Sequence, residues 1–289
     1  MILPVIQDTL ADALKLLPFL FVTYLIMEYI EHRTSEKTRL LMKKSGKWGP
    51  AFGGLLGMLP QCGFSTAASN LYAGRIITLG TLLAVFLSTS DEMLPVLISE
   101  QAPINIILKI LAVKVVIGIC AGFLTDLLCR RHGDNDPDEM RIEQICDHQH
   151  CHCGEGNFFS SALRHTLQVF LFILVISFLL NLLVDFVGED KLEVFLTGRA
   201  ILGPLFAGLI GLIPNCASSV LLTRLYLSGM LGVGSMLAGL LAGSGAGLLV
   251  LYKVNNNIRE NIRITLLLYF IGVLCGIVIE MTGGSWFRI

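Results

Sequence analysis

Two short stretches, GMLPQCGFST from Gly57 to Thr66 and GLIPNCASSV from Gly211 to Val220, each set a proline, an amide and a cysteine in a row inside a long apolar run. Proline withholds a backbone donor and clashes with the preceding turn, and glycine resists unwinding weakly, so a helix is expected to break at both places. What tolerates such a break depends on the surrounding solvent. With 54% hydrophobic residues, 15% charged residues and a mean hydropathy of +0.73, that solvent is a lipid bilayer. Unpaired backbone groups survive there only when buried in protein or lining a wet cavity, which is how discontinuous membrane helices come to hold solutes.

Apolar runs from Ala13 to Tyr29, Ile104 to Cys129, Leu167 to Val187 and Ile264 to Met281 are each long enough to cross a hydrocarbon core of about 30 Å. The chain is therefore expected to be multi-pass. The opening MILPVIQDTLAD has no basic region and no small-residue cleavage motif, so no removable signal peptide is expected. A net charge of −1 gives no basis for a nucleic-acid partner.

The two broken elements belong to a larger duplication. Laying Gly49 onward over Gly203 onward, without a gap, pairs GPAFGGLLGMLPQCGFS with GPLFAGLIGLIPNCASS. The match continues through Leu71-Tyr72 on Leu225-Tyr226, Gly80 on Gly234, Ser90 on Ser244, Gly118 on Gly272 and Asp126 on Glu280. Internal repeats of this kind mark secondary transporters, whose sites lie where the units meet. The units run from 1 to 129 and from 166 to 289, with a Cys/His-rich loop, 130–165, between them.

Charge decides how the units face. Arg33, Lys37, Arg39, Lys43, Lys44 and Lys47 place the segment from Glu31 to Trp48 in the cytoplasm, and the basic stretch from Lys253 to Arg263 belongs there too. Acidic Gly188 to Glu193 reads as outside. Both placements follow if each unit crosses an odd number of times, which inverts the second unit, leaves the 130–165 loop in the cytoplasm and sends both termini outside. Arg75 fits this scheme poorly. The segment from Gly49 to Gln101 is too short for three full spans, so some helices are short, tilted or re-entrant, with Pro60 and Pro95 marking breaks. The expected fold is an all-α membrane protein of about ten transmembrane or re-entrant helices in two inverted repeats with broken helices.

The breaks carry the candidate site: Gln61, Cys62 and Ser65 in the first unit, Asn215, Cys216, Ser218 and Ser219 in the second. Small residues and serines are also common at ordinary helix contacts, and a lone membrane cysteine is usually inert packing. The recurrence of proline, amide, cysteine and serine in one order favours a site. Two thiols facing across the units suit a soft cation. STSDEML adds Ser90, Asp91 and Glu92, whose counterparts are Ser244, Gly245 and Ala246, so the acidic pair is one-sided. A buried carboxylate costs about 2.5–3.5 kcal/mol on insertion scales and is expected to face a cavity or substrate. The plainer alternative has Ser90 capping a helix that starts at Asp91. Asp126 and Glu280 fit lipid-interface positions and stay off the site.

CDHQHCHC packs Cys146, His148, His150, Cys151, His152 and Cys153 into one polar loop, a ligand set for a borderline or soft metal such as zinc, copper(I) or trivalent arsenic. The acidic GDNDPDEM beside it favours a solvated loop that collects or senses ions, and an incidental metal-sticky linker has the same composition.

The doubled PQCGFS and PNCASS elements, the spacing to STSDEML and the two-unit layout resemble the bacterial family of ten-helix heavy-metal exporters, also described as arsenic efflux or manganese transport proteins, and more distantly the arsenical permeases. That resemblance implies efflux of a toxic or surplus metal. Cys62 stands without the adjacent second cysteine some arsenical permeases show, which leaves Cys62 with Cys216 as the pair. No GxxxxGK[ST] motif occurs, so gradients are expected to supply the energy. The expectation is a non-enzymatic inner-membrane transporter, proton-coupled, with no tightly bound cofactor and the metal ion as substrate or loop ligand. Its expected partners are lipid and the ion, not nucleic acid, and a homo-oligomer is left open. An uptake permease or channel for another small solute, or a membrane metal sensor, are the rivals.

Overall fold

The computed structural model describes residues 46–59, 62–90, 93–131, 202–214 and 216–282, with scattered positions between 10 and 25 and between 163 and 178. Among the described residues the regular structure is helical throughout, with no strand. Lipid favours that outcome because a helix pairs its backbone within itself.

The first half holds α1 (Gly49–Gly57), α2 (Cys62–Ala73), α3 (Leu79–Ser88), α4 (Met93–Ser99) and α5 (Ile104–Arg131). The second holds α6 (Leu202–Gly211), α7 (Cys216–Leu227), α8 (Val233–Ala242), α9 (Gly247–Val254) and α10 (Ile258–Met281). The shift that carries Gly49 onto Gly203 carries α3 onto α8, end for end, the last residue of α2 onto that of α7, and the first residue of α5 onto that of α10. It also carries Arg75, at φ 58°, onto Gly229, at φ 77°. The similarity of sequence thus extends to helix ends and turn conformation.

Among the described residues, four segments are long and apolar enough to cross a membrane: Leu79–Ser99, Ile104–Cys129, Val233–Val254 and Ile258–Met281. The first and third are broken spans, α3 with α4 and α8 with α9. The predicted span from Ile264 starts earlier, at Ile258, where Asn257 caps α10 by accepting from Glu260 N. Of the expected spans Ala13 to Tyr29 and Leu167 to Val187, only scattered positions are described, all of them helical. Helices α1, α2, α6 and α7 have 9, 12, 10 and 12 residues, too short to cross alone, as the crowding between Gly49 and Gln101 implied. Pro95 does not mark a break: it lies among the helical residues of α4, and the described interruption, at Thr89 and Ser90, comes before it.

Within each half, one broken-span helix packs between two neighbours, α3 between α1 and α5, α8 between α6 and α10. Backbones approach closely there. A Cβ on Gly80 would stand 2.1 Å from Gly122 O, and one on Gly234 would stand 2.3 Å from Gly276 O. Small residues at such crossings are what packing in lipid rewards. Asp126 and Glu280, expected at the lipid interface, cap these helices: Asp126 accepts from Gly80 N and Thr78 Oγ1, each at 2.8 Å, and Glu280 accepts from Ser235 N at 3.1 Å. A carboxylate at a helix N-terminus satisfies orphan donors and the dipole together.

The halves exchange partners. Helix α2 packs on α9 of the other half, and α7 packs on α4. One apolar cluster joins Tyr72 and Leu79 to Leu251 and Ile264, and a second joins Leu97 and Ile106 to Tyr226 and Val233.

Candidate functional site

The interruptions anticipated from the sequence converge in part. After the first break, α2 presents Ser65, Thr66 and Ser69 on buried turns. Ser69 Oγ donates to Ser65 O at 2.9 Å and, across the halves, to Gly247 O at 2.7 Å. Gly247 opens α9, and a Cβ there would stand 2.8 Å from Ser65 Cβ and 2.9 Å from Phe86 Cε1. The serine stripe that follows Cys62 is therefore seated on the break between α8 and α9. Ser244 lies buried within that break, and its carbonyl accepts from Gly247 N at 3.2 Å.

Ser90 is buried, and its hydroxyl donates to Met58 O at 2.6 Å, tying the α3–α4 break to the α1–α2 corner. The capping alternative turns on Asp91 and Glu92, which lie outside the described residues, and donation to Met58 O leaves the Ser90 hydroxyl able to accept. In the second half, Ser218 Oγ donates to Ile213 O at 3.3 Å across the α6–α7 corner, and Ser219 O accepts from Thr223 Oγ1 at 2.7 Å. These two serines belong to α7, which lies against α4. Cys62 and Cys216 are helical residues of α2 and α7, and their side chains lie outside the described structure. Gln61, Asp91, Glu92, Asn215 and the loop residues Cys146, His148, His150, Cys151, His152 and Cys153 lie outside the described residues. Among the described residues no group of three His, Cys, Asp or Glu is gathered to hold a metal.

Two features escaped the sequence reading. Lys114, on α5, is 1% exposed and donates to Thr89 O, the C-cap carbonyl of α3, and to Leu240 O of α8 at 2.8 Å. The available signal was a lysine in the interior of an apolar span, which costs about as much as a buried carboxylate. Under the repeat its counterpart is Leu268, so Lys114, like the acidic pair, is one-sided. The second feature is a polar cluster across the halves. Glu260 at the start of α10 receives Arg75 and the hydroxyl of Tyr72, and Asn255 Nδ2 reaches it at 3.4 Å. The Arg75 guanidinium also stands over the Tyr72 ring, 5.3 Å from its centroid.

The model of a family described as "Putative, 10TM heavy-metal exporter" matches residues 3–189. The match takes in the first half and the Cys/His loop, and stops short of the second set of breaks. No curated protein and no solved structure matches the chain.

Proposed function

The chain belongs to this heavy-metal exporter family, and from that premise we propose that it is a secondary transporter of the inner membrane that expels a metal or metalloid cation by alternating access between two inverted halves, in exchange for protons. The observation that carries the proposal is Ser69 Oγ on Gly247 O, which seats the polar stripe after Cys62 on the broken helix of the opposite half. Gln61, Cys62, Ser65, Asn215, Cys216, Ser218 and Ser219 line the site in this scheme, Ser90 and Ser244 shape its breaks, and Asp91 with Glu92 supplies the exchangeable proton. The Cys/His loop gathers ions on the cytoplasmic side.

The Arg75–Glu260 pair supports the inversion. Segment Leu79–Ser99 separates the turn holding Arg75 from Gln101 by one membrane crossing, and parallel halves would set Asn255, the counterpart of Gln101, on the face away from Arg75. Contact between Arg75 and Glu260, beside Asn255, needs the two on one face, which inverted halves provide. Arg75 then falls on the same side as the basic stretch from Lys253 to Arg263, and its misfit with the odd count disappears.

Uptake by everted vesicles, measured over a panel of metals, tests the proposal. Wild type is expected to accumulate at least one metal when the vesicle lumen is acidic, and Cys62→Ser with Cys216→Ser to lose that flux by tenfold or more for a thiophilic ion. Absence of flux for every metal would end it. Lys114 favours one rival, a permease for an anionic solute, because it puts a positive charge at the breaks. That rival leaves the double cysteine variant at wild-type flux.

A further inference from the structure

Helices α3 and α8 correspond under the repeat, and each stops inside its span, at Ser88 and Ala242. The end of a helix leaves carbonyls with no onward partner and carries about half a negative elementary charge. Away from water such oxygens need a donor or a cation. Lys114 supplies both at once: its ammonium reaches Thr89 O at the end of α3 and Leu240 O in the last turns of α8, so one charge bridges the two halves. A packing role for the side chain would need only its methylene stem, and Leu268 fills the matching position with an apolar side chain at 0% exposure. The ammonium is therefore what distinguishes the first half here. Main-chain oxygens are hard ligands, suited to ammonium-type or small hard cations and poorly suited to the thiophilic ions that Cys62 and Cys216 favour.

We propose that Thr89 O and Leu240 O wall a cation-binding cage between the halves and that Lys114 is its tethered occupant, denying the breaks to hard monovalent cations from the medium. Removing the tether opens the cage to a free one. The cage does not depend on which ion is exported.

The test is thermal unfolding of the purified full chain in detergent, as wild type, Lys114→Ala and Lys114→Met, titrated with methylammonium chloride and, at matched ionic strength, tetramethylammonium chloride, which has no N–H to donate. The melting temperature of Lys114→Ala is expected to rise saturably, by about 2–4 °C near saturation, with methylammonium alone. Wild type stays flat, and Lys114→Met, whose longer side chain fills part of the cage, rises less. A flat Lys114→Ala curve, or an equal rise in wild type, overturns the cage. Should neither variant survive purification in ordinary buffer, recovery of folded protein only in methylammonium supports it, and aggregation in both salts overturns it. The readout is stability, so vesicles that move no metal would sink the transport proposal and leave the cage standing.

Discussion

Arg75 and Glu260 come from different halves of the chain and meet in a two-pronged ion pair, with Nη1 and Nη2 each 2.8 Å from a carboxylate oxygen. Arg75 holds a left-handed backbone, φ 58°, where its counterpart is a glycine. A non-glycine residue accepts that conformation at a cost of about 1–2 kcal/mol, so a compensating side-chain contact is expected, and the fork on Glu260 is that contact. The side chains are 32% and 17% exposed, which screens the pair in part. A double-mutant cycle with Arg75→Ala and Glu260→Ala is expected to give a coupling of about 1 kcal/mol, read from detergent melting curves. Additive losses would mean that the pair contributes nothing.

The same contact sets an expectation for topology. In a chain with its eight cysteines replaced by serine, Gln101→Cys and Met230→Cys, both at exposed positions, should be modified by an impermeant maleimide from one side of the membrane, and Asn257→Cys from the other. Modification of Gln101→Cys and Asn257→Cys from the same side would rule out inverted halves.

Gly247→Ala tests the seat of α2 on α9. Its new methyl would meet Ser65 Cβ at 2.8 Å and the Ser65 carbonyl carbon at 3.0 Å, and a backbone atom cannot swing aside as a side-chain tip can. Overpacking of this kind costs about 1–3 kcal/mol, so a lowered melting temperature is expected together with lost flux. Unchanged stability and flux would show that the halves are not pressed together at this point.

Capping should be unequal between the repeats. Asp126 serves two donors at 2.8 Å and is buried, whereas Glu280 holds Ser235 N at 3.1 Å and is partly exposed. Asp126→Ala is expected to cost about 1–3 kcal/mol and Glu280→Ala about half of that, by denaturation in detergent. The reverse order would contradict the capping roles.

Transport and metal capture should separate. Asp91→Asn, at wild-type protein level, is expected to lose metal efflux by tenfold or more, whereas deletion of Asp147 to Cys153 should lower the metal bound per chain while efflux in vesicles continues. Full efflux by Asp91→Asn would remove that carboxylate from the proton exchange, and loss of efflux on deleting the loop would make the loop part of the route.

The duplication, the helical class and the positions of the breaks were legible in the residues, because proline and glycine act locally and lipid leaves the backbone few alternatives. The matched ends of α3 and α8 follow from that local rule applied twice. Pro95 shows the limit of that local rule: it lies among helical residues of α4, while the described interruption falls earlier, at Thr89 and Ser90. What only the tertiary structure decided is which break meets which. Ser69 finds Gly247, and Lys114 finds Thr89 and Leu240, through main-chain carbonyls, and a carbonyl leaves no mark in a sequence because every residue has one. Arg75 and Glu260 escaped for a related reason: their counterparts are Gly229 and Ile106, so a pairing of repeats hides residues that only one half carries.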